Sequence, residues 1–216
     1  MKSMNVKKMT TLGILSAMAI IINLLISFPM VPAVSFLRYD PKDIIIVIGG
    51  FIYGPFAAFL MSGICAVLEI IFRGGTILDI VMNMIATCSF ACIASAIYKR
   101  DHTKKGAIIG LCFGIVAVTI SMLIWNYIVT PIYFNMPREA VVQILLPGIL
   151  PFNLLKSGLN AVVTMLLYKP LVQILRRTNL IEKSGHAQRL SAGYIIVGVF
   201  VLVTIVMVIL ILQGII

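Results

Sequence analysis

The sequence predicts an all-α integral membrane protein, and three observations carry that expectation. Apolar side chains make up 61% of the 216 residues and charged ones 11%, against about 45–50% and about 25% in soluble domains. Mean hydropathy is +1.13, and the apolar residues gather in runs of about 20, the length that crosses a hydrocarbon core of about 30 Å. The 17 Lys and Arg, set against 7 Asp and Glu, lie between those runs rather than across a polar surface. A water-soluble domain is thereby excluded, and so is an extended nucleic-acid binder. Excess Lys and Arg in a membrane chain first report topology, because they collect in cytoplasmic loops.

The first span is expected at about 9–28, after Lys2, Lys7 and Lys8. Lysines, an apolar run and Val31-Pro32-Ala33 also fit a cleaved signal peptide, but the run exceeds a usual h-region, so a retained span is favoured. Pro29, Pro32 and the polar stretch Arg38-Tyr39-Asp40-Pro41-Lys42-Asp43 then force a loop. The apolar stretch 44–72 is too long for one ordinary span and breaks at Gly54-Pro55.

Later spans are expected at about 79–98, closing on Lys99-Arg100, and at 106–134, followed by a polar loop with Pro137, Arg138 and Glu139. The next runs over 150–175 and closes on Arg176-Arg177; a last apolar run, 192–212, lies in an additional C-terminal segment, 190–216. The N-terminal lysines and the Lys99–Lys105 cluster both belong in the cytoplasm, so an even number of crossings must separate them. Spans 9–28 and 79–98 supply two, which splits 44–72 into helices at about 42–53 and 55–72. The result is seven helices in the cell membrane, N-terminus cytoplasmic and C-terminus extracellular, with residues 1–189 forming the main unit. Lys2, Lys7, Lys8, Lys99, Arg100, Lys104, Lys105, Lys169, Arg176, Arg177, Lys183 and Arg189 then lie inside. Arg38, Lys42, Arg73 and Arg138 lie outside, and Lys156 alone falls within a span.

Polar side chains within a span are costly and mark cavities or partners. Asn153, Lys156 and Asn160 stand at i, i+3 and i+7, on one face of the sixth span. A snorkelling lysine with two asparagines gluing helices together is the alternative. Asn126 lies beside Trp125, near Tyr127, Tyr133 and Phe134, and Asn83 and Glu69 also fall toward the outer half, where Glu69 can pair with Arg73 at i+4. Polar groups on several helices thus converge with aromatic residues, a pattern suited to an outward-facing pocket for a flat, polar-edged molecule. Gly13 and Ala17 form a small-xxx-small pair that lets another helix approach. The four Cys lie in apolar runs as packing residues, and no metal-ligand or catalytic spacing is present, so neither a metal, a cofactor nor an enzyme is expected.

Three segments resemble the substrate-binding S components of energy-coupling factor (ECF) vitamin transporters, in their riboflavin branch. These are Phe36-Leu37-Arg38-Tyr39-Asp40-Pro41-Lys42-Asp43-Ile44 with Gly49-Gly50 and Gly54-Pro55, then Pro151-Phe152-Asn153-Leu154-Leu155-Lys156 with Leu167-Tyr168-Lys169, and Gly13-x-x-x-Ala17. The resemblance implies a six-helix S-component bundle that takes riboflavin from outside, with Asn153, Lys156 and Asn126 on the flavin's polar edges and Phe36, Leu37 and Tyr39 as a lid. Trp125, Asn83 and Asn160 complete the candidate ligand-binding set. Gly13 and Ala17 would dock on a membrane coupling subunit driven by two cytoplasmic ATPases. Two departures stand out: Pro-Lys-Asp replaces the Phe-Ser-Asp common in riboflavin members, and a seventh helix is added. FMN or another vitamin is the nearest alternative ligand, and a non-transport assembly subunit the alternative role.

Overall fold

The computed structural model describes residues 6–178 and 180 and, beyond them, 199, 202, 203, 206, 209 and 210. Five long helices carry the bundle: α1 (Val6–Leu25), α3 (Pro55–Arg73), α4 (Ile77–Arg100), α5 (Lys104–Tyr133) and α7 (Leu150–Arg177). A short α2 (Lys42–Tyr53) lies among them, and a still shorter α6 (Arg138–Ile144) leads through a π-helical turn, Leu145–Ile149, into α7. This is the all-α membrane bundle that composition and periodicity predict. The residues of the additional C-terminal helix fall almost wholly outside those described.

Local chemistry sets the helix ends. α1 stops at Leu25, just before Pro29, whose ring disfavours helix in the residue ahead of it. Gly54 (φ 90°) turns the chain between α2 and α3 in a conformation that a side chain resists, and Pro55 opens α3 where its missing N–H costs nothing. At the start of α4, Asp79 Oδ2 accepts from the Thr76 amide at 2.7 Å in a reciprocal capping box. Thr103 Oγ1 caps α5 by accepting from Gly106 N at 3.1 Å. The segment expected as a polar loop after α5 instead carries α6 and the π turn. Pro147 within that turn cannot donate to the α-helical ladder, so the backbone widens there.

The helices run up and down, giving the bundle two distinct ends. At one lie the start of α1, the α2–α3 and α4–α5 turns and the end of α7. Lys8 there sits over the Tyr53 ring at 5.4 Å, and Thr11 Oγ1 donates to the Leu180 carbonyl at 3.1 Å. This is the basic end. The other end holds the α1–α2 loop (loop 1), the α3–α4 turn, α6 and the start of α7. At 12 residues α2 is too short to cross a bilayer unaided. It survives by burial: every residue from Lys42 to Phe51 is covered, with α1, α3, α4 and α7 packed around it. A second cluster joins loop 1 (Met30, Val34, Leu37) to Ile149 and Phe152, and Ile209, with half-buried Leu202 beside it, completes that cluster.

Candidate functional site

Loop 1 folds back over its end of the bundle. Pro29 and Arg38 form an isolated antiparallel bridge, the Tyr39 amide donates to Phe28 O at 2.8 Å, and Arg38 Nη2 donates to Ser27 O at 2.7 Å. Tyr39 is buried, and its hydroxyl donates to Asn160 Oδ1 at 2.8 Å, while Asn160 Nδ2 reaches the Asp40 carbonyl at 3.5 Å. Those bonds fasten the loop to α7. A Cβ on Gly148 would lie 2.5 Å from Val34 Cγ1, so glycine lets the π turn close on the loop.

Between loop 1, α4 and α5 is a cavity of about 130 Å³. Phe36 and Leu37 line it from the loop, Leu78, Asp79 and Met82 from α4, and Trp125, Asn126, Val129, Thr130 and Tyr133 from α5, with Phe134 just beyond. Its mouth is aromatic: Phe36 meets Phe134 edge-on with centroids 5.1 Å apart, and Phe134 meets Tyr133 at 5.0 Å. The Tyr133 hydroxyl donates to Asp79 Oδ2 at 3.0 Å. Asn126 is buried, donating to Met122 O at 2.7 Å and accepting from Thr130 Oγ1 at 2.9 Å. Its carboxamide is therefore held in one orientation at the cavity wall.

A buried ion network joins loop 1, α2, α3, α4 and α7. Lys42 Nζ donates to Asp40 Oδ2 at 2.8 Å, to Glu69 Oε2 at 2.5 Å and to Asn83 Oδ1 at 3.1 Å. Glu69 also takes Arg73 Nη1 at 3.1 Å, the i, i+4 pair the sequence suggests, and Asn23 Nδ2 at 3.1 Å. Lys156 Nζ is in ion contact with Asp40 Oδ1 and lies 3.9 Å from Asp43 Oδ2, whose other oxygen accepts from Thr87 Oγ1 at 2.7 Å. Burial works against the charge on Asp40 in loop 1, but the Lys156 and Lys42 ammonium groups outweigh it and hold the carboxyl below the usual carboxylate range.

Of the candidate binding residues, Phe36, Leu37, Trp125 and Asn126 line the cavity. Tyr39 and Asn160 instead bond each other, Asn83 accepts from Lys42, and Asn153 donates to Ile149 O at 2.8 Å across the turn into α7. Lys156 faces two carboxylates. Sequence reasoning passed over Asp79 and Thr130 as site residues, and counted Lys42 as an outside base at the start of the second helix. Thr130, at i+4 from Asn126, was the available signal. Gly13 and Ala17 are both exposed, and a Cβ on Gly13 would meet nothing within 4 Å.

A membrane bundle with a capped, aromatic-mouthed cavity at one end and polar side chains set around it has the build of a ligand-capturing membrane protein. Its family follows directly: the chain belongs to the ECF transporter, substrate-specific component family, whose family model matches residues 7–168. It is 32% identical over 177 residues to the riboflavin transporter RibU of Staphylococcus aureus (strain TCH60), covering 79% of this chain and 93% of that one. Against the riboflavin transporter FmnP of Bacillus subtilis (strain 168) it is 32% identical over 175 residues, covering 76% and 92%. A solved S component of a bacterial ECF transporter superposes with a TM-score of 0.68 at 31% identity, over 79% of this chain and 98% of that one. The chain is therefore a multi-pass membrane S component with the fold of that solved relative.

Proposed function

We propose that this chain captures riboflavin on the outside of the cell and delivers it inward as the S component of an ECF-type ABC importer. The observation that carries this is the cavity: Trp125 and Phe36 offer faces for an isoalloxazine ring, and Asn126 offers a fixed carboxamide for its polar edge. Relatives named as riboflavin transporters support the ligand. On this assignment the loop 1 end faces outward and the basic end lies in the cytoplasm, in keeping with the positive-inside rule. Sites for drug-sized ligands measure about 300–1,000 Å³, more than the cavity of about 130 Å³. Flavin entry therefore needs the half-exposed rim of Phe36, Tyr133 and Phe134 to swing outward.

The ion network bears on the ligand's charge. Lys42, Arg73 and Lys156 are matched by Asp40, Asp43 and Glu69, so this layer holds no surplus cation for a phosphate. A neutral flavin is favoured over its phosphate ester. Asn153 and Lys156 reach the ligand by exchanging their present partners for it. The exposed Gly13–Ala17 face of α1 docks on a membrane coupling subunit, which two cytoplasmic ATPases drive.

Trp125 is the sole tryptophan and lines the cavity, so its fluorescence tests the assignment. Riboflavin added to the purified protein is expected to quench it saturably, and Lys156→Ala or Asn153→Ala to abolish high-affinity quenching. Absence of quenching in a protein with intact helical circular dichroism would refute the flavin assignment.

A further inference from the structure

A ligand that needs Lys156 must first take it from Asp40 and Asp43. Both acids are buried, and a buried carboxylate stripped of its only cation is strongly unfavourable. Lys42 changes that balance. It is 1% exposed, and its ammonium already has three acceptors, in Asp40, Glu69 and Asn83. An ammonium carries three donors, so none is left for a ligand. Its charge, however, lies 2.8 Å from Asp40 Oδ2, while Lys156 contacts the other oxygen, Oδ1.

Without Lys42, Asp40 and Asp43 would share Lys156 alone, and two anions in a low-dielectric interior would hold that cation fast. With Lys42 in place, Asp40 keeps a counter-ion and Asp43 keeps the Thr87 hydroxyl when Lys156 departs. Glu69 retains Arg73 throughout, so it does not draw on the charge that Asp40 needs. We propose that Lys42 is a positioning residue for ligand capture: a buried counter-ion that holds Asp40 so that Lys156 can transfer to the flavin. Because Asp40 belongs to loop 1, the same ion pair keeps the loop tied to α2 and α3 during the exchange. This inference rests on the flavin assignment above.

The test is a double-mutant cycle on riboflavin affinity, read by Trp125 quenching in the purified full chain. Lys42→Met is expected to weaken binding roughly tenfold to hundredfold, the ordinary range of coupling between sites. Adding Asp40→Asn removes the competing carboxylate, so Lys42→Met/Asp40→Asn should bind as Asp40→Asn does alone. Lys42→Met/Glu69→Gln should remain weak, because Glu69 does not compete for Lys156. A merely structural lysine would give losses that add, with no recovery from Asp40→Asn, and that result overturns the proposal. Should Lys42→Met fail to fold, the comparison moves to Lys42→Met/Asp40→Asn against Asp40→Asn, and a gap of about tenfold or more, within the range of such couplings, overturns it. A wild-type protein that binds riboflavin while Lys42→Met binds equally well sinks this inference alone. A wild type that binds no riboflavin removes the flavin assignment and this inference together.

Discussion

The α1 face gives the sharpest separation between binding and transport. Gly13 has nothing within 4 Å of where a Cβ would stand, and Ala17, Ile14 and Ile21 are also exposed. Gly13→Leu with Ala17→Leu should therefore leave the bundle's own stability within about 0.5 kcal/mol, as for surface sites generally. A partner helix packed closely on that face meets two new isobutyl groups. Overpacking costs about 1–3 kcal/mol at each position, so docking weakens by about 2–6 kcal/mol, roughly 30-fold to 10⁴-fold at about 1.4 kcal/mol per decade. The assay pairs two readouts: riboflavin quenching of Trp125 in the purified variant, and labelled riboflavin uptake by cells that also express the coupling subunit and ATPases. The expected outcome is wild-type quenching with uptake near background. Wild-type uptake would show that no close helix contact uses this face. Lost quenching in a folded variant would show that the pair serves the binding bundle instead, and either result refutes the reasoning.

Three further outcomes test the capped site. Tyr39→Phe deletes the donor to Asn160 Oδ1, an interaction worth about 0.5–1.5 kcal/mol net, and should speed riboflavin release in stopped-flow quenching by about twofold to tenfold; an unchanged rate means that loop 1 is not held there. Thr130→Val is nearly isosteric but frees the Asn126 carboxamide, and should weaken equilibrium binding by a similar factor while the melting temperature holds. Gly148→Ala drives a methyl against Val34, overpacking by about 1–3 kcal/mol, and should raise hydrogen exchange at the Leu37 and Tyr39 amides; restoring protection with Val34→Ala would tie the effect to that one contact.

The split of residues 44–72 into two helices was legible because charge parity does not depend on helix length. Lysines on both sides of the stretch demanded an even number of crossings, and Gly54-Pro55 was the one chemically plausible place for the turn. In the structure Gly54 lies beside the Lys99 side chain, and Tyr53 lies under Lys8, so both lysine groups do share one end. The α6 segment was not legible for the opposite reason. At seven residues it is well below the length at which a helix forms on its own pattern. Pro137, Arg138 and Glu139 read as a loop, and Val141 is the residue of α6 that the fold buries.

The site shows where single-span reasoning stops. Lys156 stood out because it interrupts an apolar run, and the asparagines at i−3 and i+4 marked its face. Lys42 carries the same charge with less exposed surface, yet sequence position hides it at the edge of a loop among other polar residues. Its burial comes from four other elements, loop 1, α3, α4 and α7, each bringing an acid, an amide or a second base to the α2 N-terminus. No local periodicity encodes such a convergence. It could still have been asked for by charge arithmetic: Asp40 and Asp43 sit on an element expected to enter the bundle, and buried acids need cations. Lys156 supplies one, and Lys42, a single residue from Asp43, is the nearest second in sequence. The anomaly that a sequence displays openly is the lysine we propose moves to the ligand, while the lysine proposed to ease that move looks ordinary until the fold closes over it.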